Sequence, residues 1–255
     1  MRRSAEWYEW RTASLGPTLI LCFSSGMGCV HDLSIFADSA AGTDSGRTGS
    51  DGGGPTGVGN FGASCAKTPP VLREDDSPQL DFSTSASAAG NWAFGSIGSD
   101  ARSFRCFEMN RQLAPTVSLW TGSSTEPNVS RNTSMSSVTI GTGTWPAGAV
   151  AFHPGTGTVR ASIRWRAPRS GRAAIRGSFT GIDRNRTTTT VSVLHRGAMV
   201  WSGNINVSGG GNIATIPTDL NLDVNAGELI DFVVNDGGNG MSNDNTQAAI
   251  NIMLP

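Results

Sequence analysis

Residues 159–182 read V-R-A-S-I-R-W-R-A-P-R-S-G-R-A-A-I-R-G-S-F-T-G-I. Val159, Ala161, Ile163 and Trp165 fall on one face at period two, and Arg160, Ser162, Arg164 and Arg166 fall on the other. That is the alternation of a half-buried antiparallel strand, whereas a helix would spread the arginines around its axis. Pro168, Ser170 and Gly171 interrupt the pattern before Ala173, Ile175, Gly177 and Phe179 resume it. The stretch therefore predicts two long strands joined by a tight turn.

Working outward, the same rhythm recurs on both sides. Strand-like pieces run over 91–97, 103–107, 116–121, 137–140 and 149–153 before the central pair, and over 187–195, 199–207, 212–216, 219–224, 229–234 and 248–254 after it. Arg196-Gly197, Gly209-Gly210-Gly211, Asn225-Ala226-Gly227 and the string from Asp236 to Gly240 punctuate them with residues suited to positive φ. No stretch sustains a helical period. Residues 78–255 are thus expected to form an all-β domain, an antiparallel β-sandwich of jelly-roll type.

The charges are balanced overall, with 19 Lys and Arg against 20 Asp and Glu, but they are segregated along the chain. Nine arginines between Arg160 and Arg196 face the single Asp183, and beyond Arg196 every charged residue is acidic. Two readings stand: neighbouring strands neutralise each other through cross-strand pairs, or one face is basic and meets an anionic polymer. Nucleic acid is not expected as the partner.

Residues 1–28 have the features of an export signal, with Arg2, Arg3 and Arg11 ahead of an apolar run from Leu15 to Phe23 that is short for a membrane span. Gly26-Met27-Gly28-Cys29 resembles a bacterial lipoprotein cleavage box and makes Cys29 the expected lipidation site, anchoring the chain to the outer membrane; the alternative is plain secretion. Residues 29–77, rich in Gly, Ser, Thr, Asp and Pro, read as a flexible tether with too little apolar surface to offset its ordering entropy. Export leaves Cys65 and Cys106 as the remaining cysteines, either one disulfide pinning the end of the tether or two free thiols.

Several strings occur in a telling order: Asn91-Trp92-Ala93-Phe94-Gly95, Pro127 to Thr133, Phe152-His153-Pro154-Gly155, Arg164 to Gly171, Gly177 to Asp183, the run Thr187–Thr190, Gly227 to Phe232 and Asp244-Asn245-Thr246. The series resembles a β-sandwich module of bacterial secreted and surface proteins, found in planctomycete-type and exopolysaccharide-associated proteins, that has no settled activity. Arg196-Gly197 stands where that module usually has Asn-Gly, and Glu228 where it has Asp. The resemblance implies a sandwich like a carbohydrate-binding module.

Sandwiches that bind sugars present flat aromatic rings to the pyranose, with amides and carboxylates for the hydroxyls. The candidates are Trp92, Trp120, Trp145 and Trp201, with Trp165 assigned to the core. Trp120 and Trp145 lie beside turn-like strings and are expected to be exposed. The loop from Asn235 to Thr246 carries hard oxygen donors, and Asp236, Asn239 and Asp244, with Asp183 from outside, suit a structural calcium; the same composition suits Asx-turns in a long hairpin. His153 is expected to fix a strand end and His195 to lie on the surface, and no nucleophile, base and acid share a motif. The chain is read as non-catalytic and without a cofactor other than that calcium. Its expected partner is a polysaccharide or envelope glycan, the alternatives being an envelope assembly protein or, third, a polysaccharide-active enzyme.

Overall fold

The computed structural model describes residues 61–62, 64–207, 213–217 and 219–255, so the leader 1–28, Cys29 and the first part of the tether lie outside the described residues. Eighteen strands and one short helix follow in order: β1 (Asp75–Asp76), α1 (Pro78–Asp81), β2 (Ala88–Ala89), β3 (Trp92–Ile97), β4 (Phe104–Cys106), β5 (Met109–Ala114), β6 (Val117–Thr121), β7 (Asn128–Asn132), β8 (Val138–Ile140), β9 (Gly143–Trp145), β10 (Val150–His153), β11 (Arg160–Arg166), β12 (Gly171–Gly181), β13 (Thr187–His195), β14 (Ala198–Val207), β15 (Ile213–Thr215), β16 (Asn221–Val224), β17 (Leu229–Asn235) and β18 (Thr246–Met253). They form an antiparallel β-sandwich of jelly-roll type. Sheet I runs β15-β12-β18-β10-β7-β6-β5, with β1 on β18 and β16 on β12; sheet II runs β14-β13-β17-β11-β3-β2, with β4 on β3.

The stretch 159–182 forms two long strands, but they are not a hairpin. β11 lies in sheet II between β3 and β17, and β12 lies in sheet I beside β18. The turn at Pro168–Ser170 therefore carries the chain across the core from one layer to the other. Ala161, Ile163 and Trp165 then meet Ala173, Ile175 and Phe179 in one apolar cluster between the sheets. Alternation reports that one face of each strand is buried, and a partner in the opposite layer satisfies it as well as a partner alongside.

The polar face of β11 is also covered, which the half-buried reading did not anticipate. Arg164 and Arg166 are buried beneath the segment that begins at Phe61. Arg164 donates from Nε and Nη2 to the two carboxylate oxygens of Asp231, its cross-strand partner on β17, at 2.6 and 2.9 Å, and from Nη1 to the Phe61 carbonyl. Its guanidinium lies 4.2 Å from the centre of the Phe104 ring, and that of Arg166 lies 4.5 Å from the Phe61 ring. The Arg block and the acidic block do neutralise each other here, and again where Arg196 pairs with Glu228 at 2.6 Å.

Residues 61–77 therefore belong to the domain, a correction to the tether expected to extend through 77. A disulfide between Cys65 and Cys106 ties this segment to β4. Phe61 is fully buried with Ala88, Ala93 and Phe104 in a small outer core, so the few apolar residues of a Gly- and Ser-rich segment suffice when they land on a prepared surface.

Deeper in, Asp76 on β1 is 2% exposed and joins both layers. β1 pairs with β18 of sheet I. The Asp76 carboxylate accepts from the indole nitrogens of Trp92 (2.8 Å) and Trp165 (3.0 Å), which face each other across β3 and β11 of sheet II. The Asn91 amide (2.6 Å) and Arg73 (3.1 Å) complete its shell. Asp81 accepts from the Asn91 backbone and from Arg73, and its carboxylate sits where a Cβ on Gly90 would be, which reserves that position, at φ +52°, for glycine.

Asp76→Ala leaves two buried indole N–H groups without their acceptor and takes one of two acceptors from the Asn91 amide and from Arg73, which keep Val71 and Asp81. Loss of one partner from a buried charged network costs about 3–5 kcal/mol, and urea unfolding followed by tryptophan fluorescence is expected to show a loss of that size.

Candidate functional site

Each outer face of the sandwich is roofed in part; the outer side of β12 and β18 stays open as a pocket lined by Gln79, Arg176 and Asn251. On sheet I the β8–β9 hairpin covers Val117 and Ala151, with Trp145 and Ile182 filling the space between. On sheet II the Phe61 segment, tied to β4 by the disulfide, packs over Ala88, Ala93 and Phe104, and Ala101 packs near Ile97, Leu194 and Val233. The β13–β14 hairpin is left open. Its turn is Arg196-Gly197, with φ of 54° and 75°, as the turn chemistry required.

On this hairpin Val191, Val193 and Ile205 point into the core, so the alternate residues Thr188, Thr190, Asn204 and Asn206 point outward, with Thr190 opposite Asn204 and Thr188 opposite Asn206. The tip of the β17–β18 loop, at Gly237 and Asn239, rises beside them, and Arg186 stands at the end. The result is a shallow groove of about 430 Å³. Its hydrogen bonds have one direction. The Thr190 hydroxyl donates to Asn204 Oδ1 (3.0 Å), Arg186 Nε to Asn206 Oδ1 (2.9 Å) and the Thr188 hydroxyl to Asn239 Oδ1 (2.8 Å). Each amide oxygen accepts one bond from the protein, and the amide NH2 groups donate to no described residue.

Under the groove the loops are locked together. Asp183 is fully buried and accepts from the Thr142 hydroxyl (2.9 Å), the Asn245 backbone (2.7 Å) and the Asn245 side chain (3.3 Å). Asp244, also fully buried, accepts the Thr188 backbone N–H through Oδ1 at 2.8 Å, while its Oδ2 has no donor. Asp236 caps its own hairpin by accepting from the Gly238 N–H, and Asn239 is engaged by Thr188. Calcium takes about six to eight oxygens. The four residues expected to supply them split between a buried pair and an exposed tip, their oxygens are mostly committed to protein donors, and among the described residues no three His, Cys, Asp or Glu side chains gather as a metal site. The arrangement does not fit the ion, and the loop is held as an array of Asx-type bonds.

The tryptophans expected to face sugar are elsewhere. Trp92 is fully buried on Asp76. Trp120 is buried with its indole N–H donating to the Ser83 carbonyl, because the chain following α1 folds over it. Trp145 is buried under its own hairpin, donating to Ser130 Oγ. The turn-like strings beside Trp120 and Trp145 do mark turns, but those turns lie against the sheet, so the expected exposure is corrected. Trp201 is half-buried, stacked on Phe179 with the rings 14° from parallel and 6.1 Å apart. None of the four lines the groove. His153 does fix its strand end, donating from Nδ1 to the Pro154 carbonyl; His195 is half-buried against Glu228 at 3.2 Å instead of free on the surface. Of the groove residues, the sequence singled out Asn239, for calcium, and reached Arg186 only as one of the arginine block and Thr188–Thr190 only as part of the threonine run. The available signal was the facing pair of polar alternations, Thr188/Thr190 and Asn204/Asn206.

No family model and no curated protein matches the chain. Solved structures similar to it include carbohydrate-binding modules. One is the CBM51 from Clostridium perfringens GH95 in complex with methyl-galactose, at 10% identity and TM-score 0.35, covering 62% of this chain and 99% of that one. Another is the CBM35 from Paenibacillus barcinonensis, at 16% and 0.25, covering 56% and 98%. A third is the M60 catalytic domain with its two CBM51 domains from Clostridium perfringens ZmpB, at 16% and 0.33; the match spans 49% of this chain and only 13% of the length of that one.

Burial pushes the Asp244 carboxyl up to about 6, with the Thr188 N–H and His153 pulling it down and Asp183 adding to the rise. Unfolded, it titrates near about 3.9. The folded state therefore binds this proton more tightly, and the stabilisation is complete below about pH 4 and lost as pH rises through about 6. Asp244→Asn is expected to remove that step. Relative to the native protein the variant gains on the order of 2 kcal/mol between pH 4 and 7, measured as Tm against pH, and chelator leaves both curves unchanged.

Proposed function

We propose that this chain is a non-catalytic, exported module that binds glycan in the groove of the β13–β14 hairpin. The observation that carries the reading is the groove itself: an open, concave patch of hydroxyls and amides across two strands and a loop tip of the sandwich. Sugars offer many hydroxyls in fixed positions, and a rigid sheet presents Thr and Asn side chains at fixed spacing across two strands. Without an aromatic platform, recognition here runs through hydrogen bonds to the sugar's edges. The buried Asp183 and Asp244 network holds the loop tip that forms one wall, so the site is set before the ligand arrives and loses little ordering entropy on binding. In the same reading the leader exports the chain, Cys29 receives the lipid, and the segment between it and Phe61 sets the domain away from the membrane; release as a secreted protein is the alternative.

Two measurements test this. Affinity electrophoresis of the purified domain in a panel of polysaccharides is expected to show retardation, with Asn204→Ala and Thr190→Val each weakening it about three- to tenfold, the effect of one lost hydrogen bond, while the circular dichroism spectrum is unchanged. No retardation in any polysaccharide overturns the reading. For the anchor, labelled fatty acid is expected to enter the full chain and not Cys29→Ser; incorporation that survives the substitution removes Cys29 as the acyl site.

A further inference from the structure

We infer that the groove selects a sugar bearing an acidic group, a carboxylate or a sulfate ester, and that Arg186 is the residue that reads it. The inference rests on the glycan-binding reading above and narrows it to a ligand class.

Two features of the groove point the same way. The first is its donor balance. The Oδ1 atoms of Asn204, Asn206 and Asn239 all accept bonds from the protein, so what these side chains turn toward a ligand is N–H. Each such N–H is satisfied by a group that accepts. A carboxylate or sulfate does so with every oxygen, whereas a neutral hydroxyl brings a proton that needs an acceptor of its own.

The second feature is the charge. Arg186 is the one charged residue among those lining the groove, it is exposed, and among the described residues it makes no ion pair. Among the described residues its one hydrogen bond, from Nε to Asn206 Oδ1, orients the guanidinium plane and engages neither terminal nitrogen, the arrangement that takes an acidic group through two parallel bonds. Other arginines of the same block are engaged: Arg164 with Asp231, Arg196 with Glu228, Arg176 with the carbonyls of Ile175 and Leu220. The nearby carboxylate of Asp244 does not oppose this, because Oδ1 is held by Thr188 and Oδ2 is shut away from solvent. Asp236, in the loop tip, is turned onto the Gly238 N–H.

The test is affinity electrophoresis of the folded protein at low salt in polygalacturonate, dextran sulfate and unmodified dextran, using the native chain, Arg186→Gln, Arg186→Lys and, as a control for diffuse charge, Arg176→Gln. Retardation is expected in an acidic polymer and at least tenfold weaker in dextran. Arg186→Gln is expected to abolish that preference, Arg186→Lys to keep part of it, and Arg176→Gln to leave it intact. Preference for polygalacturonate alone assigns the carboxylate, and for dextran sulfate alone the sulfate. Equal retardation in dextran, or acidic retardation that survives Arg186→Gln, overturns the inference while glycan binding stands. Absence of retardation in these three polymers and in the wider panel overturns both.

Discussion

The Asp76 carboxylate is the joint on which the two layers of this protein meet. It is a charged group out of water in the body of the domain, a placement whose desolvation cost is offset only if its oxygens are fully occupied by donors. Two indoles, an amide and a guanidinium occupy them. Because the carboxylate hangs from β1 on sheet I and the indoles from neighbouring strands of sheet II, satisfying the charge also fixes how the sheets register at this end. Apolar contacts alone would hold the layers together and leave that register less tightly defined, since they lack direction.

From this joint the rest of the architecture follows by covering. Each sheet has an inner face filled by the main core and an outer face that needs a roof wherever it carries apolar or unpaired charged groups. On sheet II the roof is the segment from Phe61, pinned by the Cys65–Cys106 disulfide, and beneath it Arg164 finds Asp231. On sheet I it is the β8–β9 hairpin, whose Trp145 fills the gap. The part of the β13–β14 hairpin away from its turn carries Thr188, Thr190, Asn204 and Asn206 outward, and these stay solvated without a cover. The candidate site is thus a part of the sandwich surface that the protein's own packing leaves open.

The groove's character comes from how its polar residues satisfy each other. A threonine hydroxyl or an arginine Nε has only one proton to give in these positions, and each gives it to an asparagine oxygen across the strand pair or from the loop tip. The remaining amide protons and the terminal nitrogens of Arg186 then face outward together. Below them, the bonds of Asp183 and Asp244 to Thr142, Asn245 and Thr188 stitch three loops into one wall. The acidic residues of this end serve the loop's own shape, which is why a composition suggestive of a metal site does not assemble into one.

What the chain order alone determined is the strand class and the position of the domain. Period-two burial is written locally by each strand's own residues, and the Gly- and Asn-rich turns and the opposed charge blocks are equally local. Even so, alternation does not mark β5 or β7: the edge strand Met109–Ala114 has little to bury, and Asn128–Asn132 buries the polar Ser130 and Asn132 beside Val129. Tertiary structure decided the rest. Alternation says that a face is covered, not by what, so it could not separate a hairpin of β11 and β12 from a crossing between layers. Nor could it show that Phe61 would lie on the arginines of a strand a hundred residues later, or that Trp92, Trp120 and Trp145 would each be claimed by a buried acceptor. The groove emerged last because its residues come from two strands and a loop far apart in the chain, and which of them meet on an open surface is a property of the whole packing that no local stretch of sequence records.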